Sequence, residues 1–226
     1  MIECSPQLLL GLDERELMDS PLLACHVHRQ VLEPLHFLAQ RAASAGFIFK
    51  VASSYRSFDR QLLIWNNKAR GLRPVLNDAG EIMDINLLPD RDKVFAILRW
   101  SALPGASRHH WGTDVDVYGS ARIDPDYQLQ LTVAETQGDG PYAEFHRWLN
   151  DELAQSSSDF FRPYAQDCGG IAPEPWHLSY APLATDFSRQ LTQDLLRSQL
   201  EKTDLELKQV VLDNLDEIFQ RFIRVG

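Results

Sequence analysis

The sequence has few cysteines, no long apolar run and fewer basic than acidic residues. Its 226 residues include only three cysteines, Cys4, Cys25 and Cys168, and no C-x-x-C pair. Such a set offers no disulfide framework and is typical of a reducing compartment. No apolar run approaches the roughly 20 residues of a membrane-spanning helix. Lysine and arginine total 22 against 32 acidic residues, a formal net charge of -10, which argues against nucleic-acid or anionic-membrane partners.

Several signatures of known enzyme classes are also missing. The chain contains no H-E-x-x-H, no G-x-S-x-G and no P-loop, which argues against a helix-borne zinc site, a serine hydrolase elbow and a phosphate cradle. The N-terminus lacks the basic segment of a secretory signal, and charge interrupts its apolar part. We therefore expect a cytoplasmic protein. With 44% hydrophobic residues, the chain can build a core without disulfides.

The chain alternates between helical and extended patterns. Helices are predicted over 7–19, 27–45, 57–71, 90–100 and 142–154, with two more after residue 186. Strands are predicted over 47–55, 113–118, 160–165 and 176–180, and a hairpin or flap over 72–88. The fold class expected is α+β, with a small antiparallel sheet flanked by helices. We divide the chain into a main domain over 1–185 and a helical C-terminal extension over 186–226 packed on it.

Apolar residues in the C-terminal segment recur at helical spacing from Leu205 to Ile223, with charged residues between them. This pattern predicts one long amphipathic helix. We expect its apolar stripe to pack on the same chain. A homodimer contact, or a wall of a substrate cleft, is the alternative, so monomer and homodimer both stay open.

Two separated runs carry most of the chemical information. The first, from Ser107 to Asp116, reads S-R-H-H-W-G-T-D-V-D, and the second, from Glu174 to His177, reads E-P-W-H. Catalytic zinc sites keep three protein ligands, drawn from histidine and carboxylate, and leave one position to water. His109, Asp116 and His177 are the candidate ligands, and Glu174 is the candidate base beside the water.

The remaining polar residues of these runs have competing interpretations. His110 is expected to point away from its neighbour, and Trp111 to pack in the core. Asp114 shares a strand face with Asp116. It could be an alternative ligand, an acceptor for a histidine N–H, a substrate contact or a solvated carboxylate; we favour the acceptor or the substrate contact. Trp176 could both pack and contact substrate.

With these residues in view, the chain resembles VanY-type D-alanyl-D-alanine carboxypeptidases. These belong to the superfamily that also contains lysostaphin-type peptidases and the hedgehog signalling domain. The family pattern S-x-H-x-x-G-x-A-x-D followed by E-x-W-H is matched here except at Asp114, where the family usually has a small apolar residue. Upstream, S-S-Y-R-S-F-D-R-Q resembles the family's S-x-Y-R-S-x-x-x-Q and matches it at Tyr55, Arg56 and Gln61. The resemblance covers about residues 27–182.

The resemblance implies a zinc carboxypeptidase domain over 1–185. Zn²⁺ would be held by His109, Asp116 and His177, with Glu174 as catalytic base and Arg56 near the scissile carbonyl. A further set is expected to contact the substrate: Ser107, Gln61, Asp114, Tyr55 and Trp176. Asp114 could meet the free ammonium of diaminopimelate.

The implied substrate is a peptidoglycan-derived peptide or muropeptide that loses a C-terminal D-alanine. For a cytoplasmic enzyme we favour the L,D-bond of tetrapeptides, in cell-wall recycling, because trimming pentapeptides would attack the cell's own wall precursors. The alternatives are a D,D-carboxypeptidase acting on D-Ala-D-Ala pentapeptides, a wall-lysing endopeptidase, and a binding module that holds zinc without catalysis. Glu174 and Arg56 together favour an enzyme.

Overall fold

A computed structural model describes residues 4–122, 124 and 126–224 of the chain. Its strands are β1 (Leu17–Ser20), β2 (Cys25–His28), β3 (Ile48–Ser53), β4 (Val75–Leu76), β5 (Ile82–Met83), β6 (Asp114–Ser120), β7 (Phe160–Phe161) and β8 (His177–Tyr180). Its helices are α1 (Pro6–Leu9), α2 (Arg29–Ser44), α3 (Phe58–Ala69), α4 (Asp90–Leu98), α5 (Val133–Thr136), α6 (Ala143–Leu153), α7 (Ala181–Gln190), α8 (Gln193–Glu201), α9 (Lys208–Asp213) and α10 (Leu215–Ile218).

The main sheet has four antiparallel strands in the order β3-β6-β8-β7. Strand β6 lies inside this sheet, and its Val115 and Val117 are fully buried. β1 pairs with β2, and β4 with β5, as two separate hairpins. The expected fold class is confirmed: a small antiparallel sheet flanked by helices.

Local signals place several elements as predicted. Ser57 begins α3, and its hydroxyl accepts a hydrogen bond from the N–H of Arg60 at 3.3 Å. Gly46 follows α2 with a φ of +87°, the left-handed conformation that suits glycine at a helix end. The turn of the predicted 72–88 hairpin is held by the side-chain oxygen of Asn77, which accepts from the N–H groups of Ala79 and Glu81.

The predicted helix over 7–19 is wrong for most of its length. Helix α1 covers only Pro6–Leu9, and Gly11, with a φ of +75°, leads the chain out of it. Residues 17–20 then pair with residues 25–28 as a hairpin, so the predicted helix at 27 begins at Arg29 instead. The hydrogen bonding between strands 17–20 and 25–28 therefore overrides the helical spacing of apolar residues on which the two predictions relied.

The C-terminal segment differs from the predicted long helix. α9 and α10 are separate short helices, followed by a π-helical turn over Phe219–Ile223. Leu207 has a φ of +59°, and Asn214 leaves the helical conformation between α9 and α10. The boundary proposed at 185/186 falls inside α7, and the short α5 was not predicted.

The C-terminal helices share one buried apolar cluster with the rest of the protein. Leu196, Val211 and Leu215 lie in the same cluster as Trp65 of α3 and Val94 of α4. The indole N–H of Trp65 donates to the carbonyl of Glu206 at 3.0 Å. The expected packing of this segment against its own chain thus has observed contacts, while the division into two domains stays a prediction. Across the described residues, no helix combines the length and the apolar character needed to span a membrane.

Candidate metal centre and its cavity

Two paired strands and one short turn bring the three candidate metal ligands together. Asp116 on β6 lies directly opposite His177 on β8. His109 lies in the 3-10 turn Arg108–Trp111, which ends at Gly112. Gly112 has a φ of +66°, and its carbonyl accepts a hydrogen bond from the N–H of His28 at 2.9 Å. The ligand atoms of His109, Asp116 and His177 all lie within 4.8 Å of one another.

The state of these ligand atoms fits a metal ion. Within the described part of the chain, Asp116 Oδ1 and His177 Nδ1 are buried side-chain atoms without a hydrogen-bond partner, and they lie 3.1 Å apart, while His109 Nε2 lies 3.4 Å from Asp116 Oδ2. Buried polar atoms left unpaired are rare and destabilising, so such a group indicates a missing ligand. Two imidazoles and a carboxylate are a donor set that suits Zn²⁺. The residues present therefore fit the zinc that the sequence implies.

Asp114 lies beneath the ligand set and does not line the cavity. Its side chain is fully buried, and its Oδ1 lies 3.0 Å from His177 Nε2. Arg108 Nε donates to the same oxygen at 2.8 Å. The hydroxyls of Thr113 and Ser179 donate to Oδ2 at 2.6 and 3.1 Å. The structure does not place Asp114 where a substrate contact was expected, because this carboxylate is buried and already bonded; its position fits the other expectation, an acceptor that orients a histidine.

Neighbouring charges set the ionisation of the buried groups. Burial would raise the pKa of Asp114, but the Arg108 guanidinium and a hydrogen bond from His177 hold it well below its usual range. Burial likewise opposes ionisation of Asp116, and His109 and His177 lower its pKa. Both carboxylates are thus ionised near neutral pH, the form in which a carboxylate binds a metal.

Glu174 lies beside the ligands with its side chain 17% exposed, more than the side chain of Asp116 or His177. Its Oε2 lies 3.3 Å from His177 Nδ1. Its backbone N–H donates to the carbonyl of Tyr164 at 2.9 Å, and Arg162 Nε donates to the carbonyl of Pro175 at 2.5 Å. These bonds fix the turn that holds the Glu174 carboxylate beside the candidate ligands, and its role as a base stays a prediction.

Arg56 follows β3 and lines the same cavity as Glu174. Its guanidinium donates to Gln61 Oε1 at 2.8 Å and to the Ser53 hydroxyl at 3.1 Å. Burial lowers the pKa of Arg56, and the charges of Asp116 and Glu174 oppose that shift. Arg56 is thus a cation held near both carboxylates, as expected for a group that faces a scissile carbonyl.

Gln61 and Tyr55 do not reach the substrate cavity. Gln61 is fully buried, accepts from Arg56 and donates to the carbonyl of Ala102 at 2.7 Å. Tyr55 donates its hydroxyl to the carbonyl of Gly11 at 3.2 Å. Neither lines the cavity beside the metal ligands. Both were expected to contact substrate, and the structure does not bring their polar groups to the cavity, because each is bonded within the protein: Gln61 accepts from Arg56, and Tyr55 donates to the carbonyl of Gly11.

Ser107 and Trp176 do line the cavity, which has a volume of about 800 Å³. Ser107 precedes the turn that carries His109, and the carbonyl of Trp176 accepts from the N–H of Val117 on β6 at 2.9 Å. The 72–88 hairpin contributes Gly80 and Ile82 to the lining of this cavity. The volume is sufficient for several residues of a peptide.

Several residues near the site were not predicted as part of it, including Lys68, Arg73, Tyr164 and His110. Lys68, Arg73 and Tyr164 line the cavity, and the Tyr164 ring lies 4.9 Å from that of His177. His110 points away from the ligands, as expected, but its Nδ1 lies 2.6 Å from the carbonyl of Arg56, and its Nε2 accepts from the N–H of Gly105 at 3.0 Å. Lys68 lies seven residues after the motif residue Gln61, and this spacing places both residues on the same face of α3. The spacing could therefore have indicated Lys68 as a residue near the site. No local pattern indicates the others.

The fold and the ligand set together define a class, an α+β domain with a candidate metal site on its sheet. The sequence profile of the VanY family, described as D-alanyl-D-alanine carboxypeptidase, matches residues 24–183. This match covers more than half of the chain, and the protein belongs to that family of peptidases. Two uncharacterized proteins of Haemophilus influenzae are also similar. The first is 42% identical over 105 residues, which cover 45% of this chain and 72% of that protein. The second is 31% identical over 123 residues, which cover 54% of this chain and 92% of that protein.

Two solved structures resemble the fold. One is a mutant of the vancomycin-resistance D,D-pentapeptidase VanY in complex with Zn(II), with a TM-score of 0.50 and 22% identity over 87% of this chain and 89% of that one. The other is VanYB in complex with D-alanine-D-alanine, with a TM-score of 0.50 and 23% identity over 84% and 89%. At this identity the likeness shows a shared fold.

Proposed function

We propose that this protein is a zinc-dependent carboxypeptidase that removes the C-terminal D-alanine from peptidoglycan stem peptides. The observation that carries the proposal is that Glu174 and Arg56 line the same cavity of about 800 Å³ as the three candidate ligands. A binding module that only holds zinc needs neither group. Family membership and the donor set support the same reaction class.

Each chain residue has a defined task in this reaction. Zinc at such a site supplies an acidified water and a Lewis acid for the carbonyl. Glu174 takes the proton of the attacking water and returns it to the departing amine. Arg56, fixed by Gln61 and Ser53, stabilises the negative charge that develops on the carbonyl oxygen. Ser107 contacts the terminal carboxylate.

We favour the L,D-bond of tetrapeptides over the D,D-bond of pentapeptides. This preference rests on the predicted cytoplasmic location and a role in cell-wall recycling, since a cytoplasmic D,D-enzyme would trim the cell's own precursors. The ligands, base and arginine are compatible with either bond. The D,D-carboxypeptidase therefore stays the alternative.

The test is mass spectrometry of the products from defined muropeptides. Zinc-loaded protein should release one alanine from the tetrapeptide, while chelated protein and Glu174→Gln should release about 10²- to 10⁴-fold less. Loss from the pentapeptide alone would make the protein a D,D-enzyme. No metal-dependent loss from either peptide would overturn the proposal and favour a binding module.

A further inference from the structure

The cavity next to the candidate metal site has an excess of positive charge in an acidic protein. Lys68 at the end of α3 and Arg73 just beyond it line the cavity together with Arg56. Among the described residues, the side chains of Lys68 and Arg73 take part in no ion pair or hydrogen bond. Arg108 also lines the cavity, but its charge is matched by Asp114 at 2.8 Å.

The carboxylates of the cavity already have other partners. Asp116 and Glu174 are the acidic residues among those described that line it. A divalent ion would offset both charges, which leaves the three cations of Arg56, Lys68 and Arg73 unmatched. Burial, and then the charges of Arg73 and Arg56, lower the pKa of Lys68 to about 8. Crowded cations of this kind favour an anionic ligand, because it relieves their mutual repulsion.

The order of these cations indicates which part of a substrate they meet. Arg56 lies near Asp116 and Glu174, whereas Arg73 is exposed to solvent. A carboxypeptidase binds only one residue beyond the scissile bond, so the chain leading out of the cavity is the N-terminal part of the peptide. Lys68 and Arg73 therefore face residues on the acyl side of the bond.

We propose that Lys68 and Arg73 form a subsite for a second carboxylate of the substrate, on the acyl side of the scissile bond and distinct from the C-terminal carboxylate. This inference rests on the proposed carboxypeptidase function and narrows its substrate class. The peptides selected are those in which an acidic residue close to the cleaved bond keeps a free carboxylate, such as diaminopimelate or γ-linked glutamate. Peptides with a carboxamide there, or with lysine in place of diaminopimelate, are selected against.

The test compares kcat/KM for synthetic stem peptides that differ only by carboxylate or carboxamide, first at diaminopimelate and then at γ-linked glutamate. Wild-type protein is expected to prefer the carboxylate at one of these positions by about tenfold or more, because a charge-assisted pair is replaced by a neutral one. Equal cleavage of carboxylate and carboxamide peptides at both positions would overturn the subsite and leave the proposed function intact. Cleavage of no peptide would count against the function itself.

Variants then assign the preference to the two cations. Lys68→Met combined with Arg73→Gln should bring the carboxylate-to-carboxamide ratio close to one, because kcat/KM falls about tenfold more for the carboxylate peptide than for the carboxamide peptide. Lys50→Met, the same change at an exposed position on β3, is the matched control and should keep the wild-type ratio. An unchanged ratio in the double variant would overturn the assignment, as would equal losses on both peptides.

Discussion

Asp114 and Arg108 form a buried ion pair directly behind His177. The two groups are 2.8 Å apart, and their side chains are 0% and 5% exposed. Arg108 also donates to the Ser179 hydroxyl at 2.6 Å, so the polar atoms around Asp114 satisfy one another. Since Asp114 Oδ1 faces His177 Nε2 as its acceptor, His177 Nδ1 would be the ring nitrogen left for a metal.

The first prediction concerns this acceptor. Asp114→Asn keeps the shape but removes the charge that orients His177, so zinc affinity should fall about 10- to 100-fold. Asp19→Asn is a matched control, since Asp19 Oδ1 lies 2.8 Å from His26 Nδ1 in an exposed pair away from the site. Competition with a chelating dye measures both affinities. Equal affinities for wild type and Asp114→Asn would show that His177 does not depend on Asp114.

At the scale of elements, the turn Arg108–Trp111 sets the position of His109 relative to β6. Gly112 closes this turn with a φ of +66°, and a Cβ there would lie 2.5 Å from Leu17 Cδ2 and 2.7 Å from the backbone nitrogen of His28. The hairpin β1–β2 thus packs directly on this glycine. A side chain at this position would force the hairpin away from the metal site.

Gly112→Ala should therefore destabilise the protein by more than Gly46→Ala does. Gly46 has a φ of +87°, but a Cβ there would meet no atom within 4 Å, so its variant carries only the cost of the backbone conformation, about 1–2 kcal/mol. For Gly112→Ala the steric clash adds to that cost, and we expect a loss of more than about 2 kcal/mol. Urea unfolding measures both. Equal losses of stability in the two variants would mean that the β1–β2 hairpin moves to accept the added Cβ at no cost.

The C-terminal helices contribute to the main core. Leu215 of α10 is fully buried, whereas Leu63 of α3 is 50% exposed. Leu215→Ala should lower the free energy of unfolding by about 2–5 kcal/mol, because it leaves a cavity in the core. Leu63→Ala, the same change at the surface, should cost less than about 0.5 kcal/mol. Denaturant unfolding measures the free energy of unfolding of both variants. Similar losses in the two variants would indicate that α10 is peripheral to the core.

At the scale of the whole molecule, a metal bound by the candidate ligands would link distant parts of the chain. His109 and Asp116 come from the middle of the sequence and His177 from a strand some sixty residues later, and only the folded chain brings them within 4.8 Å. A ligand that binds only the folded state stabilises it in proportion to the logarithm of its concentration. Metal should therefore stabilise the entire fold.

Zinc at about 100 times its Kd should add about 2.7 kcal/mol of stability, which corresponds to a rise of about 5–10 °C in Tm for a chain of this size. Removal of zinc by a chelator should reverse the rise. Asp116→Asn should abolish the response, since the variant lacks a ligand, and Asp19→Asn should keep it. Differential scanning calorimetry makes the measurement. A zinc response that persists in Asp116→Asn would place the metal elsewhere.

The sequence by itself determined the fold class and the family, because motifs with fixed internal spacing report on local chemistry. This holds for the two motifs, Ser107 to Asp116 and Glu174 to His177. It also holds for the end of α2 and the start of α3, because Gly46 and Ser57 form their helix-end conformations with residues adjacent in sequence. The proposed roles of His109, Asp116, His177, Glu174 and Arg56 are predictions of this kind, and they stay predictions.

Only the tertiary structure decided what each polar side chain faces. Asp114, Gln61 and Tyr55 matched or neighboured the motifs, yet their polar groups bond within the protein and not towards the cavity. Lys68 and Arg73 had no motif, yet both line it. The end of the segment predicted as a helix over 7–19 instead pairs in a hairpin for a related reason, since its partner, residues 25–28, lies outside that segment. Exposure and pairing depend on residues distant in sequence, and spacing along one segment does not encode those contacts.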